Sequence, residues 1–86
     1  MDEIRGNLFA ETVAIGTKSE GPKYYLQPLD DYANRWSKIL VRKKTLLWQN
    51  DPVLHKHLDK KVLILGDIIE TMSTITIDYE FVEVLD

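Results

Sequence analysis

The middle of the chain combines flat aromatic rings with positive charges at regular spacing. Residues 32–50 hold five basic side chains and no acidic one. Even spacing places several of them on one face of an extended segment; these are Trp36, Lys38, Arg42 and Lys44. Cations for phosphates, beside rings on which bases stack, are the combination that binds single-stranded nucleic acid. We therefore take this strip as the candidate binding site, with Tyr25 on the preceding strand as a further stacking residue.

The same strip has a second interpretation, in which it is ordinary barrel surface. Large aromatic residues usually lie in a core, and basic residues on the outer face of a strand solvate it and protect its edge. The whole chain carries a net charge of −3, which disfavours unspecific attraction to polyanions. A protein–protein interaction module or a structural protein is then the alternative. Its partner would pair with a strand edge or meet the acidic last strand, whose acids are Asp78, Glu80 and Glu83.

Residues that usually carry catalysis or hold metals are scarce. The chain has no cysteine, which excludes disulfides, thiolate metal sites and cysteine nucleophiles. His55 and His57 are the only histidines, and two positions apart on a helix they point in different directions. Gly16 and Gly21 have the spacing of the glycines in a phosphate-binding loop, but Pro22 stands where that motif has lysine, so the motif is absent. No serine is flanked by the glycines of a nucleophile elbow. We therefore expect a non-enzymatic binding module with no metal and no organic cofactor.

Length and composition indicate one small globular domain spanning residues 1–86. The chain is 44% hydrophobic and 29% charged, which is typical of a folded protein and not of a disordered one. No apolar run reaches the roughly 18 residues of a membrane span, and the first residues lack the form of a secretion signal. We expect a cytoplasmic monomer that does not bind membranes.

Hydrophobic alternation and turn residues predict five strands and one short helix. The predicted strands are 7–15, 24–27, 36–41 (extending to 43), 61–69 and 74–84. Asn50 or Asp51, followed by Pro52, predicts the start of a helix over residues 51–58, because Asn and Asp are good N-caps and Pro fits the first helical position. Gly66 predicts a bend or bulge in the fourth strand, and a break in alternation predicts another near Phe81 and Val82.

The predicted core consists of the apolar residues on one side of these elements. It comprises Val13, Ile15, Ile39, Val41, Leu54, Leu58, Val62, Ile64, Ile75, Ile77 and Tyr79. On the first strand, Phe9 shares the parity of Val13 and Ile15 and is expected to face the same way, although Glu11 interrupts that face. On the third strand, Ile39 and Val41 are expected to face inward and the basic strip outward.

The order strand, strand, strand, helix, strand, strand resembles the OB-fold. A capped helix at residues 50–54 and a charged turn with an apolar strand at residues 58–68 resemble the same region of small stand-alone OB-fold proteins. The resemblance implies an all-β, five-stranded antiparallel Greek-key barrel whose second and third strands form the usual binding face. Asp59 stands where such proteins often have the glycine that ends the helix. An SH3-like barrel is the alternative for the same strand count.

Overall fold

A computed structural model describes residues 1–13, 21–43 and 51–85 and shows an all-β closed barrel of five strands. The strands are β1 Asp2–Val13, β2 Gly21–Pro28, β3 Ile39–Arg42, β4 Lys61–Glu70 and β5 Ile75–Val84. A 3-10 helix, Asp31–Asn34, precedes β3, and one short α-helix, α1 Pro52–His55, precedes β4. The five strands and the short helix confirm the prediction. Across these ranges no helix has the length and apolar character needed to cross a membrane.

The strands close in the order β1-β2-β3-β5-β4, with β4 paired to β1. Four of the five pairs are antiparallel, as predicted. The fifth pair, β3 with β5, is parallel and joins Val41 to Ile77 in register. A ring with an odd number of strands cannot alternate in direction all the way round, so closure forces at least one parallel pair.

The core fills the inside of this ring with alternate residues of each strand. Eight of the predicted core residues are buried: Ile39, Val41, Leu54, Val62, Ile64, Ile75, Ile77 and Tyr79. Leu58 is partly buried against them. Ile15 and the side chain of Val13 lie outside the described residues. The prediction missed four buried residues of β1 and β2, which are Ile4, Leu8, Tyr24 and Leu26.

The expected direction of Phe9 was wrong. Ile4 and Leu8 face the core, and Phe9 is half-buried on the outer face, where it stacks on Tyr25. The physical reason is the period of two in a strand: Asn7 and Glu11, two positions on either side of Phe9, are polar and exposed. Their side of β1 is therefore the solvent side.

A β-bulge shifts the pairing of β4 with β5 at Gly66. Leu65 pairs with Phe81 and Gly66 with Tyr79, which leaves Glu80 as the extra residue. Tyr79 before the bulge is buried, whereas Phe81 after it is exposed, so the inward parity of β5 changes at Glu80. This confirms the bulge predicted at Gly66, and places the phase break one residue before Phe81.

Helix α1 is attached to the barrel through the buried carboxylate of Asp51. One of its oxygens accepts hydrogen bonds from the backbone N–H groups of Val53 and Leu54, and the other accepts a short bond from the Tyr79 hydroxyl. The Asp51 amide donates to the Tyr24 hydroxyl at 3.3 Å. The carboxylate thus caps the helix and joins it to β5, while Leu54 packs into the core.

The helix is shorter than the predicted 51–58. The amides of His57 and Leu58 bond to carbonyls three residues earlier, so the chain tightens into a turn after His55. Asp59 then takes a left-handed conformation with φ of 63°. Glycine favours that conformation and aspartate tolerates it, so Asp59 occupies the position at which the resembling proteins often have glycine.

The Tyr79–Asp51 bond predicts a loss of stability at alkaline pH. Burial and the bond to Asp51 raise the pKa of Tyr79 well above its ordinary value. In the unfolded chain the phenol ionises near pH 10, so above that pH the folded state holds more protons and unfolding becomes easier. The stabilisation that comes from the raised pKa of Tyr79 is therefore complete below about pH 10 and is lost as the pH rises further.

Replacing Tyr79 with phenylalanine should remove both the hydrogen bond to Asp51 and the ionisable hydroxyl group. At pH 7 Tyr79→Phe should lose about 1–3 kcal/mol, because a buried carboxylate loses its donor. Between pH 9 and about 11, its urea midpoint should fall less than that of the wild type. Equal falls in the two proteins would contradict the prediction. The remaining tyrosines are shared by both proteins, so their contribution cancels in the comparison.

Candidate functional site

A row of apolar and aromatic side chains crosses the outer face of the first three strands. Phe9 pairs with Tyr25 in the β1/β2 register, and Tyr25 pairs with Leu40 in the β2/β3 register. All three are half-buried. The rings of Phe9 and Tyr25 are stacked, with centroids 5.7 Å apart and planes 27° from parallel. Part of each ring therefore remains open to solvent on a two-ring platform.

Lys38 lies against this platform. Its ammonium nitrogen is 4.4 Å from the centroid of the Tyr25 ring, which is a cation–π distance, and 2.9 Å from Glu11 Oε1. The hydrogen bond to Glu11 raises the pKa of Lys38, so the amine stays protonated. Both side chains are 43% exposed, and exposed ion pairs contribute only about 0–1 kcal/mol. An anionic ligand can therefore replace Glu11 as the partner of Lys38 at small cost.

Trp36 lies beside the row but precedes the strand on which it was expected. The amides of Arg35 and Trp36 both bond to the Tyr32 carbonyl, which keeps the chain in the 3-10 turn and delays β3 until Ile39. The Trp36 ring is half-buried against the core. Its indole N–H donates to Glu70 at 2.9 Å. One edge of the indole is thus anchored at the end of β4, which fixes the position of the ring.

Two adjoining grooves run along this face, and Ser37 and Lys38 line both. The first has a volume of about 460 Å³ and lies between the strands and the β4–β5 turn. Its lining residues are Tyr25, Trp36, Ser37, Lys38, Leu40, Ser73, Thr74, Ile75 and Thr76. The second, of about 560 Å³, continues over β1 and is lined by Asn7, Leu8, Phe9, Gln27, Ser37, Lys38 and Asp59. Both volumes fall within the range of small-ligand sites.

The wall of the first groove opposite the rings is held in one shape by hydroxyl groups. Thr71 Oγ1 accepts from the backbone N–H groups of Ser73 and Thr74, and it lies 2.7 Å from Thr74 Oγ1. The turn thus fixes the two groove-lining residues that it contributes, Ser73 and Thr74. No carboxylate is among the described residues that line this groove.

The five predicted site residues have different outcomes. Tyr25, Trp36 and Lys38 come together in the first groove. Arg42 is exposed, two residues beyond Leu40 on the same side of β3, and pairs in register with Asp78 of β5. It shares the face but does not line the groove. Lys44 lies outside the described residues.

Sequence reasoning missed Phe9, which belongs to this face. The signal was present, because a Phe flanked at two positions on each side by Asn7 and Glu11 lies on the polar side of its strand. The carboxylates of Glu11 and Glu70 were also missed as neighbours of the strip. Nothing local in the sequence indicates these contacts, since each joins residues at least 27 positions apart.

Each of the two histidines lies within hydrogen-bonding distance of another group of the protein. His55 Nδ1 is 3.5 Å from the Tyr24 hydroxyl, and His57 Nδ1 is 2.7 Å from the Val53 carbonyl. Among the residues described, no three histidine or carboxylate side chains are grouped so as to hold a metal ion.

Comparison of the chain with protein-family models, with curated protein sequences and with solved structures finds no match.

Proposed function

We propose that this protein is a non-enzymatic binding module of OB type that binds single-stranded nucleic acid on the outer face of β2 and β3. For the fold, the support is the strand order, in which β3 pairs with β5 and β4 returns beside β1, together with the helix before β4. Such a crossed connection is of the Greek-key type found in OB-folds. It favours an OB-type barrel over the SH3-like alternative.

The observation that carries the proposal is the Phe9–Tyr25 platform with the Lys38 ammonium over it. Bases stack on such rings whatever their identity, and each stacked base contributes about 1–3 kcal/mol. Lys38 then meets the phosphate next to the stacked base. Lys23 and Arg42, both exposed and on the same outer face, extend the positive charge to either side. The strand-edge alternative is less supported, because every strand of the closed barrel has two neighbouring strands.

Binding to labelled oligothymidylate and oligouridylate tests the proposal, with fluorescence anisotropy as the measurement. Three phosphate contacts predict a salt slope of about −2, so affinity should fall roughly 15- to 20-fold between 50 and 200 mM salt. Removing two of the cations together (Lys38→Ala with Arg42→Ala) should remove most of that slope. Lys56→Ala is the matched control, because Lys56 is an exposed lysine just after α1, away from both grooves.

The contribution of stacking is tested at Tyr25. Tyr25→Ala should weaken binding about 5- to 150-fold, whereas Tyr25→Phe keeps the ring and should bind nearly as the wild type does. Thermal unfolding of each variant shows that the barrel is intact. Absence of saturable binding at low salt, or equal affinity of Tyr25→Ala and the wild type, would overturn the proposal.

A further inference from the structure

The wall of the barrel formed by β1, β4 and β5 carries a second surface of different character. In the paired register, Glu3, Leu65 and Phe81 form one row across the three strands. Arg5, Leu63 and Glu83 form the next row. Leu63 and Leu65 are half-buried, and Phe81 is 51% exposed. Three apolar side chains are thus contiguous on the outer wall, and we call them the Phe81 patch.

Acidic residues dominate the surroundings of the Phe81 patch. Glu3, Asp67, Glu80 and Glu83 are all exposed around it. Two bases also lie on this face: Arg5, which is paired with Glu3 at 2.7 Å, and Lys61, which is exposed two positions before Leu63 on the same side of β4. From residue 62 onward the chain has six acids and no base. The patch is therefore an apolar centre whose rim has four acids against two bases, and this net negative charge repels nucleic acid and attracts cationic groups.

We propose that the Phe81 patch docks another protein through an apolar contact surrounded by lysine and arginine residues. An exposed aromatic side chain beside two leucines is the composition of an interface centre, where aromatic residues carry much of the binding energy. The acidic rim selects a basic partner by charge complementarity. A second copy of this chain fits less well, since it would bring two negative rims together. The surface lies on a different part of the barrel from the grooves, so this proposal does not depend on the nucleic-acid proposal.

Three synthetic peptides test both features of the patch. The first is a short amphipathic helix of leucine and lysine, the second has glutamate in place of lysine, and the third has glycine in place of leucine. NMR titration of the wild-type protein should show saturable binding of the first peptide alone, with shifts concentrated at Leu63, Leu65 and Phe81. Equal binding of the glycine–lysine peptide would reduce the interaction to unspecific charge attraction and would overturn the proposal.

Single substitutions test whether the leucine–lysine peptide binds at the Phe81 patch. Phe81→Ala and Glu83→Lys should each weaken the leucine–lysine peptide about tenfold or more. The matched controls are Val53→Ala, at a 41% exposed apolar side chain of α1, and Asp31→Lys on the 3-10 helix. They should leave the affinity unchanged. Unaltered binding by Phe81→Ala refutes the patch. A wild-type dimer in sedimentation that Phe81→Ala disperses would assign the patch to self-association instead, and also refutes the proposal.

Discussion

Ile77→Ala should lower the free energy of unfolding by about 2–5 kcal/mol. Ile77 is fully buried in the middle of β5 and is paired on both sides, with Val41 across the parallel pair and Ile68 across the antiparallel pair. Strands fixed on both sides cannot move inward to fill the space left by the side chain, so most of a cavity remains. A domain of this length has a total stability of only about 4–13 kcal/mol. The variant should therefore lose a large part of it.

Urea unfolding followed by circular dichroism measures this loss. The midpoint should fall while the slope stays the same, because the folded state keeps its overall surface. Ile69→Ala is the matched control: it removes the same atoms from β4, but Ile69 is 44% exposed, so the loss should stay below about 1 kcal/mol. Similar losses in the two variants would show that Ile77 does not lie in the core described above.

Gly66→Ala should also destabilise the barrel, by about 1–3 kcal/mol or more. A Cβ atom at Gly66 would lie 2.3 Å from the Asp78 carbonyl oxygen and 2.7 Å from the Tyr79 Cα. Both are backbone atoms of the paired strand, so no side-chain rotation can relieve the overlap. The two strands must separate at the bulge.

The direction of the stability change in Gly66→Ala shows whether the backbone at this position has room for a Cβ atom. Where the backbone accepts alanine, replacing glycine stabilises a protein by roughly 0.4–1 kcal/mol through the unfolded state. Gly66→Ala should instead lower the thermal midpoint by several degrees. Asp67→Ala, at the next and exposed position of β4, is the control and should change it little. An unchanged or higher midpoint in Gly66→Ala would mean that β4 and β5 do not approach as closely as described.

The candidate site could be predicted only in part. Alternation along β3 correctly indicated that Lys38 and Arg42 face away from Ile39 and Val41. The extended geometry assumed for Trp36 was wrong, because the preceding 3-10 turn holds its amide. Alternation describes a residue relative to its own strand, and it contains no information about which residue of another strand lies alongside.

The sequence by itself determined the features that depend on neighbouring residues. The five strands follow from alternation, apolar runs and turn residues, the start of α1 from the segment Asn50-Asp51-Pro52, and the bulge from Gly66 with the broken phase near Phe81 and Val82. These features are local because backbone conformation, caps and side-chain direction depend on residues within a few positions. Residue types alone carry that information.

Only the tertiary structure decided the contacts between distant parts of the chain. Closure of five strands imposed the parallel β3/β5 pair, and pairing of β1 with β2 brought Phe9 onto Tyr25. The bond from Tyr79 to Asp51 joins residues 28 positions apart, and it ties a helix too short to be stable alone onto the barrel. Many residues of suitable type along the chain could form each of these contacts, so the neighbouring sequence does not specify them. The packing of the whole core and the closure of the barrel decide which contact forms.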